Sequence, residues 1–475
     1  MGALETVAVS FSVLVPECQA ENGMATLLDN IEIDETRQTV QPSAIGYFLS
    51  CPFLMFSTIV TSFGGILFGF DTAALNGILI MPPFVSAMGG DNMTATEWAD
   101  LSSWITSSLL LGASFASLFA ALVADTLGRK VCINLSSLII LIGASVQAAA
   151  QGWQIMIIGR VIVGFGIGCL SATVPIYLAE ISPKSVRGAV GSLFEVTVAF
   201  GILLAFAVTW CFNSTSSFPE QLSAWRCRLG IQAGLAICLT LLMIPLPESP
   251  RWLVTVGRQA EARQQLQTIR WSEVVGKRRV SFDEWLDVTN VDLEYAEMLA
   301  DSEVQSNKGT VWYDYSALLR PDMLLRTCIA INIKIFQQLT GINSIMYYSS
   351  IIFEDIGIKP DTTTAITGLV NVIATLISVI LIDHWGRRPL LIWGSVGMCV
   401  SLVILGGIVL GTNPSEPASA MTIAAFICFF IVNFAYSYGP IAWLYPAEIF
   451  PMSLRAKGSF PRSILLASDT PLSFI

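Results

Sequence analysis

Ten segments of the sequence are apolar and long enough to cross a lipid bilayer as a helix. A crossing helix needs about twenty residues, because the hydrocarbon core is roughly 30 Å thick. Backbone polar groups find no water there, so such segments must be helical. The chain is therefore expected to be an all-α membrane protein. The segments are 53–80, 104–124, 131–150, 154–177, 189–211, 228–247, 327–353, 364–382, 389–411 and 421–445.

The composition excludes several classes of soluble protein. Apolar residues make up 54% of the 475 residues and charged residues only 13%, whereas a soluble domain is about a quarter charged. No basic patch with interleaved aromatic residues points to nucleic acid. The ten cysteines and the single histidine, His384, form no metal-binding or catalytic motif. We therefore expect no bound metal, no cofactor and no enzymatic activity.

Positive charges recur in alternate short loops and predict the orientation of the chain. Loops on the cytosolic side of a membrane carry an excess of Lys and Arg, so the basic loops and the N-terminus should be cytosolic. The opposite loops contain two glycosylation sequons, which begin at Asn92 and Asn213, and this fits a plasma-membrane location. The basic loop residues are Arg129, Lys130, Lys184, Arg187, Arg387, Arg388, Arg455 and Lys457.

Two loop motifs are repeated in register. Asp125-Thr-Leu-Gly-Arg-Lys follows the second segment, and Asp383-His-Trp-Gly-Arg-Arg follows the eighth. Ala179-Glu-Ile-Ser-Pro-Lys follows the fourth segment, and Ala447-Glu-Ile-Phe-Pro-Met follows the tenth. Parallel repeats of this kind occur in secondary transporters that bind substrate between two halves, near the middle of the membrane.

The repeat predicts the division of the chain. The expected order is an acidic cytosolic tail, a six-helix bundle, a cytosolic linker with short helices, an incomplete four-span bundle and an atypical C-terminal tail. No nucleotide-binding glycine-rich loop is present, which argues against a nucleotide-driven pump. The corresponding ranges are 1–52, 53–250, 251–326, 327–457 and 458–475.

Several motifs in order resemble the sugar porter family of the major facilitator superfamily, with fungal hexose and monosaccharide transporters most similar. They include Gly64-Gly-Ile-Leu-Phe-Gly-Phe-Asp, Pro247-Glu-Ser-Pro-Arg-Trp, Gln337-Gln-Leu-Thr-Gly-Ile-Asn and Gly439-Pro-Ile-Ala-Trp. The resemblance implies the major facilitator fold of two parallel helical bundles, here with the last two spans missing. It also implies a monomer that moves a monosaccharide, expected to be a hexose, across a lipid bilayer by alternating access.

Amide side chains and an aromatic ring suit a sugar, because its hydroxyls donate and accept hydrogen bonds. Gln337, Gln338 and Asn343 supply amides, and Tyr347 lies one helical turn after Asn343. By resemblance the three amides are the main sugar contacts. Further contact positions of the family match Asn371 and Trp443. The alternative is that these amides only join helices to one another.

Asp71 and Arg160 lie deep inside predicted spans at similar depths. Charges there are costly and usually functional, so the two are expected to pair. In the family the position of Asp71 separates many proton symporters from animal facilitators. Proton symport is therefore predicted, and facilitated diffusion stays open because similar fungal facilitators also carry Asp.

Glu195 and Lys334 depart from the family pattern. The family usually has a sugar-binding Gln at the position of Glu195, and Lys334 lies three residues before Gln337. Mutual neutralisation across the cavity is the favoured interpretation. The alternative is altered specificity, with Lys334 holding the carboxylate of a sugar acid or polyol acid such as galacturonate or quinate.

The cytosolic motifs predict a gate made of ion pairs between helices. Resemblance adds Glu248 and Arg251 to this network. Such pairs would hold one access state closed. The remaining members are Asp125, Arg129, Glu180, Arg187, Asp383, Arg387, Glu448 and Arg455.

Two other outcomes are compatible with the sequence. A sugar sensor could use the same fold, although sensors of this type usually signal through a long cytosolic tail. The family pattern continues beyond Gly458 into two more spans, whereas this sequence ends at Ile475. An inactive truncated product, which transports poorly or not at all, is therefore also expected as an alternative.

Overall fold

A computed structural model of the chain describes residues 52–183, 187–214, 224–270, 291, 293–300, 320–358, 360–411 and 416–449. The predicted acidic tail and the predicted tail over 458–475 lie outside these residues, apart from Pro52. Most of the predicted linker also lies outside them. The remaining parts of the chain are almost entirely helical, as the apolar segments predict.

The described residues of the first half form six long helices and three short ones. A 3-10 turn, Gly90–Asn92, lies between α2 and α3. The helices are α1 (Pro52–Ala74), α2 (Pro82–Ala87), α3 (Ala95–Leu127), α4 (Arg129–Ala148), α5 (Trp153–Ile181), α6 (Arg187–Ser214), α7 (Ala224–Met243), α8 (Pro250–Thr255) and α9 (Gln259–Arg270).

The second half follows a short helical stretch at 293–300. The helices among its described residues are α10 (Pro321–Leu339), α11 (Ile342–Asp355), α12 (Pro360–Trp385), α13 (Arg387–Gly411), α14 (Pro417–Tyr436) and α15 (Tyr438–Ile449).

Within the described residues, eight helical segments are long and apolar enough to span a membrane. The continuous stretch formed by α14 and the start of α15 is one of these eight. Helix α3 bends by 50°, and it adds a ninth if its two parts form one span. The predicted segment 327–353 is different, because it is divided between α10 and α11. Thr340 and Gly341 separate the two helices, and Gly341 has a φ of +75°.

The first predicted segment is shorter than expected. Helix α1 ends at Ala74 and not near residue 80. The chain turns at Gly77, whose φ of +76° suits glycine. Turn hydrogen bonds such as Ile78 N to Leu75 O continue beyond the helix. The apolar residues after Ala74 therefore belong to a buried turn.

Helix α5 lies at the centre of the first half and packs against both α3 and α4. Glycine permits this close contact, since small residues allow helix backbones to approach each other in membranes. A Cβ atom placed on Gly164 of α5 would lie only 2.1 Å from the carbonyl oxygen of Leu109 on α3. Helix α6 makes the main described contact with the second half, through α12.

We predict that Gly164→Ala lowers the apparent melting temperature of the purified protein in detergent. The new methyl group would force α3 and α5 apart, and overpacking costs about 1–3 kcal/mol. Gly406→Ala on α13 is the matched control, because no atom lies within 4 Å of a Cβ placed there. That control should keep its melting temperature or gain slightly from the better helix propensity of Ala. Equal melting temperatures for both variants would contradict the packing described above.

Candidate functional site

A cavity lies between the two halves and is lined by α1, α3 and α6 on one side and by α10, α11, α12, α14 and α15 on the other. It encloses about 90 Å³ that water-sized molecules can reach. Every residue predicted to bind substrate lines it, so the fold brings together residues that are far apart in sequence. They are Glu195, Gln337, Gln338, Asn343, Tyr347, Asn371 and Trp443.

The break between α10 and α11 positions the amide side chains of the cavity. Gln337 and Gln338 lie in the last turn of α10, and Asn343 lies in the first turn of α11. The Nδ2 of Asn343 donates to Oε1 of Gln338 across the break, at 3.4 Å. Thr340 Oγ1 donates to the Gln337 carbonyl oxygen at 2.6 Å and satisfies one backbone group at the end of α10.

Aromatic rings from both halves meet at Trp443. Phe68 of α1 and Phe194 of α6 approach the indole edge-on, with ring centroids 6.3 and 5.6 Å away. Edge-to-face pairs at such distances are favourable. Phe68 and Trp443 also line the cavity, which therefore has an aromatic wall that both halves build.

A buried ion pair joins α1 to α5. Arg160 Nη1 donates to the Asp71 carboxylate at 3.1 and 3.2 Å, and both side chains are completely buried. Gln232 of α7 donates to the same carboxylate at 2.8 Å. The pairing agrees with the similar depths of the two residues in the sequence. Gln232 was not predicted, because an isolated Gln in an apolar segment gives no sign of its partner.

The guanidinium of Arg160 is only partly satisfied. Its Nε and Nη2 atoms are buried and have no hydrogen-bond partner among the described residues. A buried charge depends on its partner for compensation, so Arg160 depends strongly on Asp71. Thr72, the residue after Asp71, lines the cavity. The ion pair is thus one residue away from the substrate cavity along α1.

Asn76 was also missed and connects the two halves beside the cavity. Its Nδ2 donates to the carbonyl oxygen of Met346 at 3.0 Å and to Oγ of Ser349. Its Oδ1 accepts from the backbone N–H of Ser350 at 3.1 Å and from the Ser350 hydroxyl. Met346 lines the cavity, so Asn76 holds the cavity-lining helix α11 against the end of α1. Only the resulting tertiary contact identifies this role.

The predicted gate is partly visible in the first half. Arg129 pairs with Asp125 at 3.0 Å and with Glu180 at 3.1 Å, and its Nη1 donates to the carbonyl oxygen of Ala124. The guanidinium therefore ties the end of α3 to the start of α4 and the end of α5. These contacts place predicted gate residues in one ionic cluster.

Glu248 caps the start of α4. Its carboxylate accepts backbone N–H groups of Arg129, Lys130 and Ser249 at 2.9–3.2 Å. Burial raises the pKa of this carboxyl, and the three backbone donors act in the opposite direction. Negative charge is favourable at a helix N-terminus, so Glu248 stabilises the position of α4.

The rest of the predicted gate is less fully described. Arg251 is half-buried in α8, and Arg387 Nη1 donates to the Ile382 carbonyl oxygen at 3.3 Å. The structure does not describe the side chains of Arg187, Asp383 and Glu448. Arg455 lies wholly outside the described residues. Their roles remain predictions. Of the two glycosylation candidates, Asn92 is exposed, and the side chain of Asn213 lies outside the described residues.

Lys334 and Glu195 occupy different positions relative to the cavity. Glu195 lines the cavity, whereas Lys334 is 1% exposed and is not among the lining residues. Lys334 Nζ donates to Gln337 Oε1 at 2.6 Å and lies 3.7 Å from the ring centroid of Trp443. Helical spacing placed Lys334 beside Gln337, and the structure adds its contact with Trp443. The proposed pairing of Lys334 with Glu195 stays a prediction.

Comparisons with known proteins agree with this architecture. A family described as "Sugar (and other) transporter" matches residues 57–460. Sugar transport protein MST3 of Oryza sativa subsp. japonica is 34% identical over 426 residues, which cover 86% of this chain and 78% of that protein. Sugar transport protein 10 of Arabidopsis thaliana is 31% identical over 86% of this chain and 78% of its own length.

A bacterial relative, the probable metabolite transport protein CsbC of Bacillus subtilis (strain 168), is 33% identical over 87% of this chain and 82% of its own length. These plant and bacterial relatives do not bear on the predicted likeness to fungal hexose transporters, which stays a prediction.

Solved structures share the fold. The major facilitator proton:xylose symporter XylE bound to 6-bromo-6-deoxy-D-glucose has a TM-score of 0.71 and 24% identity, over 88% of this chain and 86% of that one. A partially occluded, inward-open XylE from E. coli has a TM-score of 0.72 and 23% identity, over 89% of this chain and 90% of that one. The fold of the described helices therefore agrees with the arrangement that the internal repeat predicted.

We predict that Arg160→Met lowers the stability of the purified protein by about 3–5 kcal/mol, because it leaves the Asp71 carboxylate buried without its cation. Adding Asp71→Asn should restore part of the loss by removing the unpaired charge. Melting temperatures of both single variants and the double variant measure this coupling. Arg388→Met changes an exposed arginine and should have little effect. Simple additivity of the two single losses would contradict a direct pair.

Proposed function

Because this chain belongs to the sugar porter family of the major facilitator superfamily, we propose that it carries a monosaccharide, with a hexose as the expected substrate, across a membrane by alternating access. The observation that supports this most strongly is the cavity between the halves, lined by Gln337, Gln338, Asn343 and Asn371. These four amides come from three helices and face one enclosed space.

The chemistry of the cavity suits a sugar ring. Amides can donate to and accept from hydroxyl groups, and each good hydrogen bond adds discrimination between similar sugars. Trp443 and Phe68 offer apolar surface to the C–H faces of the ring. Since both halves contribute to the lining, a bound sugar touches both. Movement of one half against the other would then open the cavity to each side of the membrane in turn.

The buried Asp71–Arg160 pair supports coupling of this transport to protons. A proton taken up by the Asp71 carboxylate cancels its charge and weakens the attraction to Arg160. Release of the proton on the other side restores the pair. Asp71 and the cavity residues Phe68 and Thr72 lie on the same helix, so a shift of α1 would reach the sugar. One structural neighbour is itself a proton:xylose symporter, which is consistent with this mechanism.

The proposed location is the plasma membrane. Asn92 is exposed, stands in a glycosylation sequon and lies in a loop predicted to be on the side opposite the basic loops. Such a position fits a protein that is glycosylated in the secretory pathway on its way to the plasma membrane. The multi-pass membrane character itself follows from the family and the apolar helices.

We predict that Asp71→Asn abolishes uphill sugar accumulation and spares sugar exchange. The Asn side chain does not take up or release a proton near neutral pH, but its oxygen can still accept hydrogen bonds from Arg160 and Gln232. Proteoliposomes containing the protein should take up labelled glucose against its gradient when an inward proton gradient is applied. The variant should lose this accumulation and still exchange labelled glucose for glucose loaded inside. Asp100→Asn, at an exposed carboxylate, is the matched control and should accumulate normally.

Other outcomes of this experiment would contradict the proposal in different ways. Undiminished accumulation by Asp71→Asn would disprove the coupling role and leave sugar transport intact. Wild-type exchange without accumulation would favour facilitated diffusion. Sugar binding with neither exchange nor accumulation would favour the sensor or inactive-product alternatives.

A further inference from the structure

We propose that Asn76 is a positioning residue that acts as a reversible latch on the external side of the cavity. Its side-chain amide closes this side by bonding to both ends of one backbone hydrogen bond of α11. On opening, it returns these two backbone groups to each other. The proposed alternating access, on which this inference rests, requires a contact between the halves that can open and close.

The amide of Asn76 bonds to two backbone groups that are natural partners of each other. Its Nδ2 donates to the carbonyl oxygen of Met346 at 3.0 Å, and its Oδ1 accepts from the N–H of Ser350 at 3.1 Å. In an α-helix each N–H donates to the carbonyl oxygen four residues earlier. Ser350 lies four residues after Met346 within α11. Asn76 therefore bonds to the donor and the acceptor of a single helical turn.

Two hydroxyl groups complete the contact. Nδ2 of Asn76 also donates to Oγ of Ser349, and the hydroxyl of Ser350 donates to Oδ1. These four bonds match the two hydrogens and the two lone pairs of a side-chain amide, so every polar position of Asn76 is used. Asn76 is only 1% exposed. The contact between the halves is thus both saturated and buried.

The latch lies between the cavity and the external side of the membrane. The N-terminus is predicted to be cytosolic, so α1 ends at the external side, where Asn76 follows it. Met346 lines the cavity, and the later residues Tyr348 and Ile351 pack against an external apolar cluster that includes Phe84. A sugar that enters from outside must pass between the halves, so Asn76 and α11 have to separate at this point.

The choice of backbone partners explains how this contact can open. A buried polar group that loses its partner is costly. When Asn76 withdraws, the N–H of Ser350 can donate to the carbonyl oxygen of Met346 and complete the turn of α11. The serine hydroxyls can donate to carbonyl oxygens of the preceding turn. Water that enters the opening solvates the amide of Asn76, so no polar group of the latch is left without a partner.

Competition for the same two backbone groups also connects the latch to the cavity. Helices bend where a side chain inserts between a backbone N–H and its carbonyl partner. The turn from Met346 to Ser350 should therefore straighten when Asn76 leaves. Tyr347 lies within this turn and lines the cavity. Opening of the external side and a change in the cavity wall would then be one event.

Labelling of the cavity from outside tests the inference in cells that produce the full 475-residue chain. Ala199→Cys places a reporter thiol in the cavity lining, and a membrane-impermeant maleimide is added to the medium. Labelling of the same chain without the reporter is subtracted. Asn76→Leu has a similar size and removes all four bonds, so the reporter should label at least about 5-fold faster.

Asn332→Leu is the matched control. Asn332 is exposed and bonds within its own helix, to the carbonyl oxygen of Cys328. Its replacement removes an amide from a membrane helix without touching the contact between the halves. The reporter in this variant should label at the rate of the chain with intact Asn332. A rate as high as that of Asn76→Leu would show a general effect of losing an amide and contradict the latch.

A double variant separates the backbone partners from the hydroxyl partners. Ser349→Ala with Ser350→Ala removes both hydroxyls and leaves both backbone groups to bond to Asn76. Its reporter should label less than about 2-fold faster than that of the chain with both serines. Asn76→Asp keeps the acceptor and loses the donor to Met346, so it should also open the external side. This variant keeps the test decisive if Asn76→Leu does not fold.

Uptake kinetics distinguish a latch from a defect in packing. Without the reporter, Asn76→Leu should lower both the KM for external labelled glucose and the maximal rate. More molecules then wait open to the outside, which raises the apparent affinity there, and fewer of them close. A merely structural defect would lower the maximal rate and leave KM unchanged.

Two further results would overturn the inference. One is unchanged labelling of the reporter in both Asn76→Leu and Asn76→Asp. The other is labelling of the double serine variant as fast as that of Asn76→Leu, which would assign the closure to the hydroxyls alone. Labelling requires no sugar, so it still decides the role of Asn76 if the wild type takes up no glucose. That failure would count against the proposed sugar transport instead.

Discussion

The absence of water from the bilayer interior is the constraint on which the structure depends. A charge placed there must find its partner inside the protein. Asp71 and Arg160 satisfy this requirement with each other and with Gln232, although two nitrogens of Arg160 have no partner among the described residues. Lys334 donates to the Gln337 side-chain oxygen and lies over the Trp443 ring. These ionisable side chains inside the spans are therefore held in defined places, and each lies in or near the cavity.

The contacts between the halves explain how a change at one buried charge could reach the substrate. Helix α1 carries Asp71, the cavity residues Phe68 and Thr72, and ends just before Asn76. Phe68 touches Trp443 of the second half, and Asn76 bonds to the backbone of α11. A rigid helix with a titratable group in its last turn, and with contacts to the opposite half before and after that group, is suited to transmit a small displacement. Alternating access requires contacts of this kind to differ between two states.

Much of the fold could be predicted from hydropathy, because long apolar segments in a membrane have no alternative to the helix. The predicted sugar-site residues also came together in one cavity. The break at Gly341 was not predicted, because the polar residues on either side of it, such as Gln338 and Asn343, were interpreted only as substrate contacts. Average hydropathy does not register a change of direction. Gln232 and Asn76 were missed because their importance arises from partners about 160 and 270 positions away in the sequence. Helical spacing placed Lys334 beside Gln337, but its contact with the Trp443 ring depends on a helix about a hundred positions further along the chain.

The central claim is that sugar movement and the charge of the Asp71–Arg160 pair are linked. The most direct measurement is the pH of a lightly buffered suspension of energy-depleted cells that produce the protein, recorded while sugar is added outside. If protons enter together with sugar, the medium should become more alkaline at a rate proportional to sugar uptake, and cells without the protein should show no change. Sugar uptake through the protein with no change in the pH of the medium would contradict the account.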